Sequence, residues 1–185
     1  MALGTLASEQ EVLELYRDPV TREQAFAQIL RENQKAIYFY IRRMVLDHDD
    51  ADDISQITFI KAWKGLENFR GESKLSTWLY RIAYNESISF LNREKRLGKV
   101  AWEDVQEELG HHLQSDELYS GDEIQRKLQT AVALLPDKQK AVFIMKYYEE
   151  KKYDEIATIT GTSVGALKAS FHHAVKKIED YLENH

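Results

Sequence analysis

"YDEIATITGTSVGALKASFHHAVKKIEDYL", Tyr153 to Leu182, decides the fold, because it reads as two helices and the turn that joins them. Ile156, Ala157 and Ile159 give a short first helix an apolar face. Gly161 can adopt positive φ in the turn, and Ser163 is a strong N-cap for the next helix. Val164, Leu167, Phe171, Ala174, Val175 and Ile178 then recur at steps of three and four, the packed side of a longer helix. Gly165, Ala166, Lys168, Ala169, His172, His173 and Lys176 face outward, short near the start and basic later. Small residues let a helix enter a major groove closely, and cations grip the flanking phosphates. The pattern reads as a helix-turn-helix; the competing reading is a helical hairpin with a solvated basic face.

Upstream of this stretch the helical periodicity continues. Ile124, Leu128, Val132 and Leu135 lie on a helix that Pro136 stops, and a further helix runs from Asp137 to Tyr148. Residues 122–185 thus form one small helical domain with the helix-turn-helix inside it. Residues 97–121 lose the periodicity and read as a flexible acidic linker. Residues 8–96 form the other domain. It begins with a short helix over Ser8–Tyr16, followed by one carrying Phe26, Ile29, Leu30, Ile37, Tyr40, Ile41, Met44 and Val45. Asp49 or Asp50 caps the next, with Ile54, Ile57, Ile60, Trp63 and Leu66 along it. Phe69 to Ser73 is a turn around Gly71. Ser76 or Thr77 caps a last helix to about Arg96, its inner side made of Leu79, Ile82, Ala83, Ile88 and Leu91, with Gly98 as a stop. Only two prolines interrupt the chain and β-type alternation is nearly absent, so the expected class is all-α.

Composition narrows the function. The 185 residues contain no cysteine, which removes disulfides, thiolate catalysis and cysteine-zinc sites. No apolar run reaches the length of a membrane span, and no basic start precedes an apolar core, so neither membrane insertion nor a secretion signal is expected; the default location is cytoplasmic. There is no Gly-rich phosphate loop and no HExxH helix, so neither an enzyme nor a cofactor is expected. The pairs His111-His112 and His172-His173 do not chelate easily, since neighbours on a helix point about 100° apart. No metal is expected.

The formal charge is −6, but the signs are segregated. Lys61 to Lys99 holds nine cations against four acids, a net of +5. Trp102 to Glu123 holds eight acids and no Lys or Arg, and Gly161 to Ile178 three lysines and no acid. Asp47 to Asp53 holds five aspartates. Inside the first basic zone, "SKLSTWLYRIAYNE" (Ser73 to Glu86) crowds Trp78, Tyr80 and Tyr84 around Lys74 and Arg81. Rings that stack on bases and cations that follow a backbone are what single-stranded nucleic acid requires.

Two runs carry a family resemblance. "DDADDISQITFIKAWKGLENFRGESKLSTWLYRIAYNESISFLNREKR" (residues 49–96) resembles the core of the bacterial extracytoplasmic-function sigma factors, in the sigma-70 family. "LPDKQKAVFIMKYYEEKKYDEIATITGTSVGALKASFHHAVKKI" (residues 135–178) is similar to their C-terminal domain. The two occur in the family's order with a linker of fitting length, over nearly the whole chain. The resemblance implies a transcription initiation factor that binds core RNA polymerase, through the β′ clamp helices and the β subunit. It implies direction of polymerase to promoters through a melted −10 element and a duplex −35 element. An anti-sigma protein is a further partner common in the family.

The same resemblance implies site residues. Phe69, Arg70, Gly71, Ser73 and Lys74 match the loop that pockets a flipped −10 base. Trp78, Arg81 and Asn85 match positions on the following helix, and Asn85 carries both donor and acceptor for a base edge. Tyr80 and Tyr84 either stack on bases or close the bundle. For the −35 element the matching positions are Lys146, Ser163, Val164, Gly165, Ala166, Lys168, Ala169, Ser170, His172, His173 and Lys176. Asp49, Asp50, Asp53 and Gln56 match the polymerase-binding surface, and capping serves equally well for the aspartates at a helix N-terminus. Departures are visible. Ile57 stands where an acid is common, and Ser170, His173 and Val175 where arginines are common, which implies a less salt-steep −35 contact. Glu150 and Lys152 replace a usual Gly and Ser.

Two other classes remain in view. A stand-alone helix-turn-helix regulator would bind duplex DNA tightly by itself as a dimer. A protein-interaction module would tolerate changes at Phe69 and Asn85.

Overall fold

A computed structural model describes residues 8–98 and 123–185. The expected linker, from residue 99 onward, and the His111-His112 pair lie outside the described residues. Among those described there are eight α-helices and one 3-10 turn, with no strand. An N-terminal lobe holds α1 (Glu9–Arg17), α2 (Arg22–Val45), α3 (His48–Gly65) and α4 (Leu75–Arg96), the 3-10 turn Leu66–Asn68 lying between the last two. A C-terminal lobe holds α5 (Glu123–Ala133), α6 (Asp137–Tyr147), α7 (Tyr153–Thr160) and α8 (Val164–Asn184). No helix among the described residues is long and apolar enough to cross a membrane.

The first helix opens on a capping box. Glu11 N–H donates to Ser8 Oγ at 3.3 Å, and Ser8 N–H donates to the Glu11 carboxylate at 2.6 Å. At its other end Tyr16, 1% exposed, wedges between α2 and α3. Its ring meets Trp63 edge-on at 5.4 Å, Phe26 meets Trp63 at 5.0 Å, and the Tyr16 hydroxyl donates to the Trp63 carbonyl. Three rings from three helices therefore close this end of the lobe.

Two caps differ from expectation. For α3 the cap is Asp47, whose carboxylate accepts from Asp50 N–H at 2.9 Å from an extended backbone (φ −84°, ψ 143°). Asp49 and Asp50 already lie in the first turn, where an acid favours the helix dipole but cannot cap. For α4 neither Ser76 nor Thr77 caps. The helix starts at Leu75, whose N–H donates at 2.8 Å to Glu9 on α1. A local pattern search misses a cap that arrives from another helix.

The faces differ in part too. In α3 the buried stripe is Ala51, Ile54, Thr58, Phe59 and Ala62, so Ile57 and Ile60 turn outward at 44% and 54% exposed. In α4 Leu79 and Ala83 are buried as expected, while Tyr80, Tyr84 and Ser87 are buried as well. Helix α2 and the second lobe share α4 between them: Tyr80 meets Tyr40 of α2 at 5.3 Å, while α7 packs along α4 and α6 packs on α2 and α4. An amphipathic pattern reports one buried face; α4 has two.

In the C-terminal lobe the turn chemistry is as expected. Gly161 takes the left-handed conformation (φ 69°, ψ 20°) and its N–H donates to the Ala157 carbonyl at 2.9 Å. Ser163 Oγ accepts from Ala166 N–H at 3.4 Å and caps α8. Ahead of α7, Glu150 has φ 49°, a left-handed conformation that its Cβ makes costly. Lys152 offers no side-chain acceptor, so only half a capping box forms there, Lys152 N–H donating to Glu155 at 3.0 Å. Glu150→Gly is therefore expected to stabilise the fold by about 1 kcal/mol, raising the melting temperature by about 2–4 °C. A thermal melt of the variant showing no rise, or a fall, would contradict it.

Candidate nucleic-acid interface

The loop from Phe69 to Lys74 owes its shape to a ring pair and one glycine. Phe69 is 8% exposed and its ring lies 5.2 Å from that of Trp78, tilted by 49°. Trp78 in turn lies over Gly65, where a Cβ would come within 2.9 Å of the indole. Gly71 has φ 71° with nothing within 4 Å of where a Cβ would stand, a bend in open space that suits glycine. Arg70 and Lys74 are exposed, and Arg70 faces Glu72 at 3.8 Å with both side chains at least 80% exposed, a weak pairing. Ser73 is half-buried with its hydroxyl turned to the Lys74 carbonyl at 3.3 Å.

One turn further along, Arg81 and Asn85 are exposed, four residues apart on one face of α4. Tyr80 and Tyr84, at 4% and 9% exposed, are covered. The loop and α4 together bring Arg70, Lys74, Arg81 and Asn85 to the surface of one lobe, while Phe69 and Trp78 are packed under the loop.

On the C-terminal lobe the outward set of α8 is found as expected. Ser163, Gly165, Ala166, Lys168, Ala169, His172, His173 and Lys176 are exposed, and Val164 and Ser170 are half-buried. Leu167, Ala174 and Ile178 anchor the opposite side. Sequence reasoning overlooked Tyr153. Lys146 Nζ lies 5.0 Å and Lys168 Nζ 5.9 Å from its ring centroid, and Lys146 also donates to the Lys151 carbonyl at 3.2 Å. One aromatic ring at the start of α7 therefore holds two lysines from α6 and α8 in one place. The sequence signal was present: an aromatic residue set directly after "EEKK" at a helix start.

The third surface lies on α3. Asp49, Asp53, Gln56 and Ile60 fall at steps of four, three and four, all exposed, on one side of the helix. Asp50, half-buried, stands in the first turn. Beside this row a groove of about 810 Å³ runs between α2 and α3, lined by Phe26, Leu30, Phe59, Ile60, Trp63 and Gln56 among others. Ile60 lines that groove, while Ile57, also turned outward, lies outside its lining. Among the described residues no group of three or more His, Asp or Glu stands together as a metal set.

Comparisons with known proteins match this arrangement. Residues 29–97 match Sigma-70 region 2 and residues 125–178 match Sigma-70 region 4. The RNA polymerase sigma-H factor of Pseudomonas aeruginosa is 30% identical over 96% of this chain and 96% of its own length. The chain belongs to the extracytoplasmic-function RNA polymerase sigma factors of the sigma-70 family. The sigma factor SigW of Bacillus subtilis is 29% identical over 88% of this chain and 91% of its own length. Among solved structures, the sigma factor RpoE of Bartonella quintana, in complex with the anti-sigma factor NepR, superposes with a TM-score of 0.67. It is 25% identical and covers 85% of this chain and 96% of its own. CnrH, in complex with the cytosolic domain of CnrY, shares the fold at a TM-score of 0.68 over 95% of this chain and 97% of its own, with 19% identity. This sigma factor is a promoter-directing transcription initiation factor, and the stand-alone regulator is the disfavoured reading.

Proposed function

We propose that the residues divide the work as follows. The loop residues Phe69, Arg70, Gly71, Ser73 and Lys74 form the pocket for a flipped −10 base, with Trp78 as its wall. Arg81 and Asn85 follow the unwound strand along α4, the asparagine reading a base edge and the arginine a phosphate. The outward face of α8, from Ser163 to Lys176 with Lys146 beside it, lies in the major groove of the −35 duplex. Asp49, Asp50, Asp53 and Gln56, with the groove beside them, receive the β′ clamp helices of core polymerase, and the β subunit completes the docking. An anti-sigma protein is a further partner, in keeping with the RpoE–NepR complex. The factor works in the cytoplasm, and the chemistry of RNA synthesis stays with the polymerase.

One observation carries the −10 assignment: Arg81 and Asn85 reach solvent one turn apart on α4 beside the exposed cations of the loop, in a chain of net charge −6. The decisive experiment is run-off transcription from a pool of genomic fragments by core polymerase with and without the protein. New start sites are expected only with it. Asn85→Ala is expected to lower or relax selection at −10 positions, since one base contact is worth about 1–3 kcal/mol. Lys168→Ala is expected to weaken −35 binding by about 1 kcal/mol, alike for all sequences, and to flatten the salt dependence. Unchanged promoter choice and salt slope in both variants would refute these assignments.

A further inference from the structure

The short helix α1 is tied to both flanks of the loop that carries Phe69, Arg70, Gly71, Ser73 and Lys74. At its start, Glu9 accepts from the N–H of Leu75, the first residue of α4, at 2.8 Å. Near its end, the Tyr16 hydroxyl donates to the carbonyl of Trp63 on α3. Just beyond it, Arg22 donates to Glu67 of the 3-10 turn at 2.8 Å, while its Nε bonds the Tyr16 carbonyl at 3.2 Å. The same guanidinium lies 5.3 Å from the Tyr16 ring centroid. Val12 and Tyr16, 3% and 1% exposed, fix α1 itself in the core. A nine-residue helix is about 13 Å long, so residues 64–74 are strapped at both ends to one short, rigid bar.

The tie at the start of α4 matters most. A helix start leaves its first N–H groups unbonded, and Lys74, at the N-cap position, has no acceptor in its side chain. The Glu9 carboxylate fills that role from another helix and sets its charge at the positive end of the α4 dipole. The turn it steadies is the one in which Trp78 N–H donates to the Lys74 carbonyl at 3.1 Å. Trp78 in turn lies 5.2 Å from Phe69 and over Gly65. An anion beside a loop that meets phosphate works against binding, so affinity for DNA does not account for Glu9. Placement does. We propose that Glu9 is a positioning residue for the −10 base pocket: from α1 it holds the first turn of α4 and, through Lys74 and Trp78, the shape in which the loop receives a flipped base. The flipped base belongs to the functional reading above; the strapping of the loop by α1 does not depend on it.

Glu9→Ala removes the acceptor, Glu9→Gln keeps an amide oxygen in its place, and Glu14→Ala removes another exposed acid of the same helix as a control for charge. In the unbound full-length protein, amide hydrogen exchange over residues 69–78 is expected to quicken about fivefold in Glu9→Ala and to stay near wild type in the other two. Exchange in α2 and in the later turns of α4 should not move. With core polymerase, each form is then tested on a promoter from the run-off pool and on its single-base variants across the −10 element. The strongest base preference found there with wild type is expected to fall about fivefold in Glu9→Ala, with affinity for polymerase unchanged and with Glu9→Gln and Glu14→Ala like wild type. A general loss of stability would instead quicken exchange throughout the lobe and weaken polymerase binding with it. Unaltered exchange over 69–78 in Glu9→Ala overturns the positioning role, and so does quickened exchange with the full base preference retained. Should wild type itself show no base preference across the element, the functional reading fails and the pocket role of Glu9 falls with it.

Discussion

Ile156→Ala is expected to unfold the helix-turn-helix and to abolish −35 binding. Ile156 is 0% exposed, and it stands with Ile144, Met145, Ile159 and Leu167 among the largest fully buried side chains. Truncating such a residue costs about 2–5 kcal/mol, through lost transfer energy and the cavity left behind. The four helices of the lobe that must absorb this span residues 123–184, a size at which a helical domain is marginal. The loss is therefore expected to equal most of the lobe's own stability. Urea titration followed by near-ultraviolet dichroism at the tyrosines of α6 and α7, beside duplex binding to a −35 fragment, checks it. A midpoint within the error of wild type would show that the short helix α7 does not organise the lobe.

Much of this fold was legible because its signals are local. Ile156, Gly161, Ser163 and Leu167 sit at the spacings that a helix, a left-handed turn, a cap and a second helix demand, and each is found in that role. What was not legible depends on distance along the chain. The cap of α4 comes from Glu9. The outward turn of Ile57 and Ile60 reflects Thr58 and Phe59 taking the inner positions, a choice made by packing against α2 and α4. The candidate site was read the same way: the solvent-facing row on α8 follows from periodicity, whereas the Tyr153 ring holding Lys146 and Lys168 joins three helices. Tyr80 and Tyr84 show the limit most clearly. Their composition suits base stacking and core equally, and packing between distant helices, with Tyr80 set 5.3 Å from Tyr40 of α2 and bonded to Glu149 of the other lobe, decides for the core.

Lys140→Met is expected to raise stability at neutral pH by about 2–3 kcal/mol and to remove most of a pH dependence between 8 and 9.5. Lys140 is 5% exposed, and burial drives its ammonium down from 10.5 to about 8, against the attraction of Asp137 and with added repulsion from Lys95. A lysine whose folded value is depressed loses its proton in the native state first. Between about pH 8 and 10.5 the unfolded chain binds more protons than the folded one, so stability rises with pH across that window. Below about pH 8 both states are protonated and the full penalty applies, about 3 kcal/mol for a shift of this size. The tyrosines act with opposite sign. Burial raises Tyr16, Tyr40, Tyr80 and Tyr84 above 10, so their contribution is present below pH 10 and is lost as the unfolded phenols ionise above it. Wild-type stability should therefore climb from pH 8 to a maximum between about 9.5 and 10 and then fall. In Lys140→Met the climb should shrink to the smaller slope that Lys151, also lowered by burial, provides. The fall above pH 10 should persist. Urea midpoints at pH 7, 8.5, 9.5 and 10.5 measure both limbs. A variant less stable than wild type at pH 7, or one that keeps the whole climb, would mean that Lys140 carries its charge in a solvated place and that the seam near Asp137 and Lys95 is more open than it stands here.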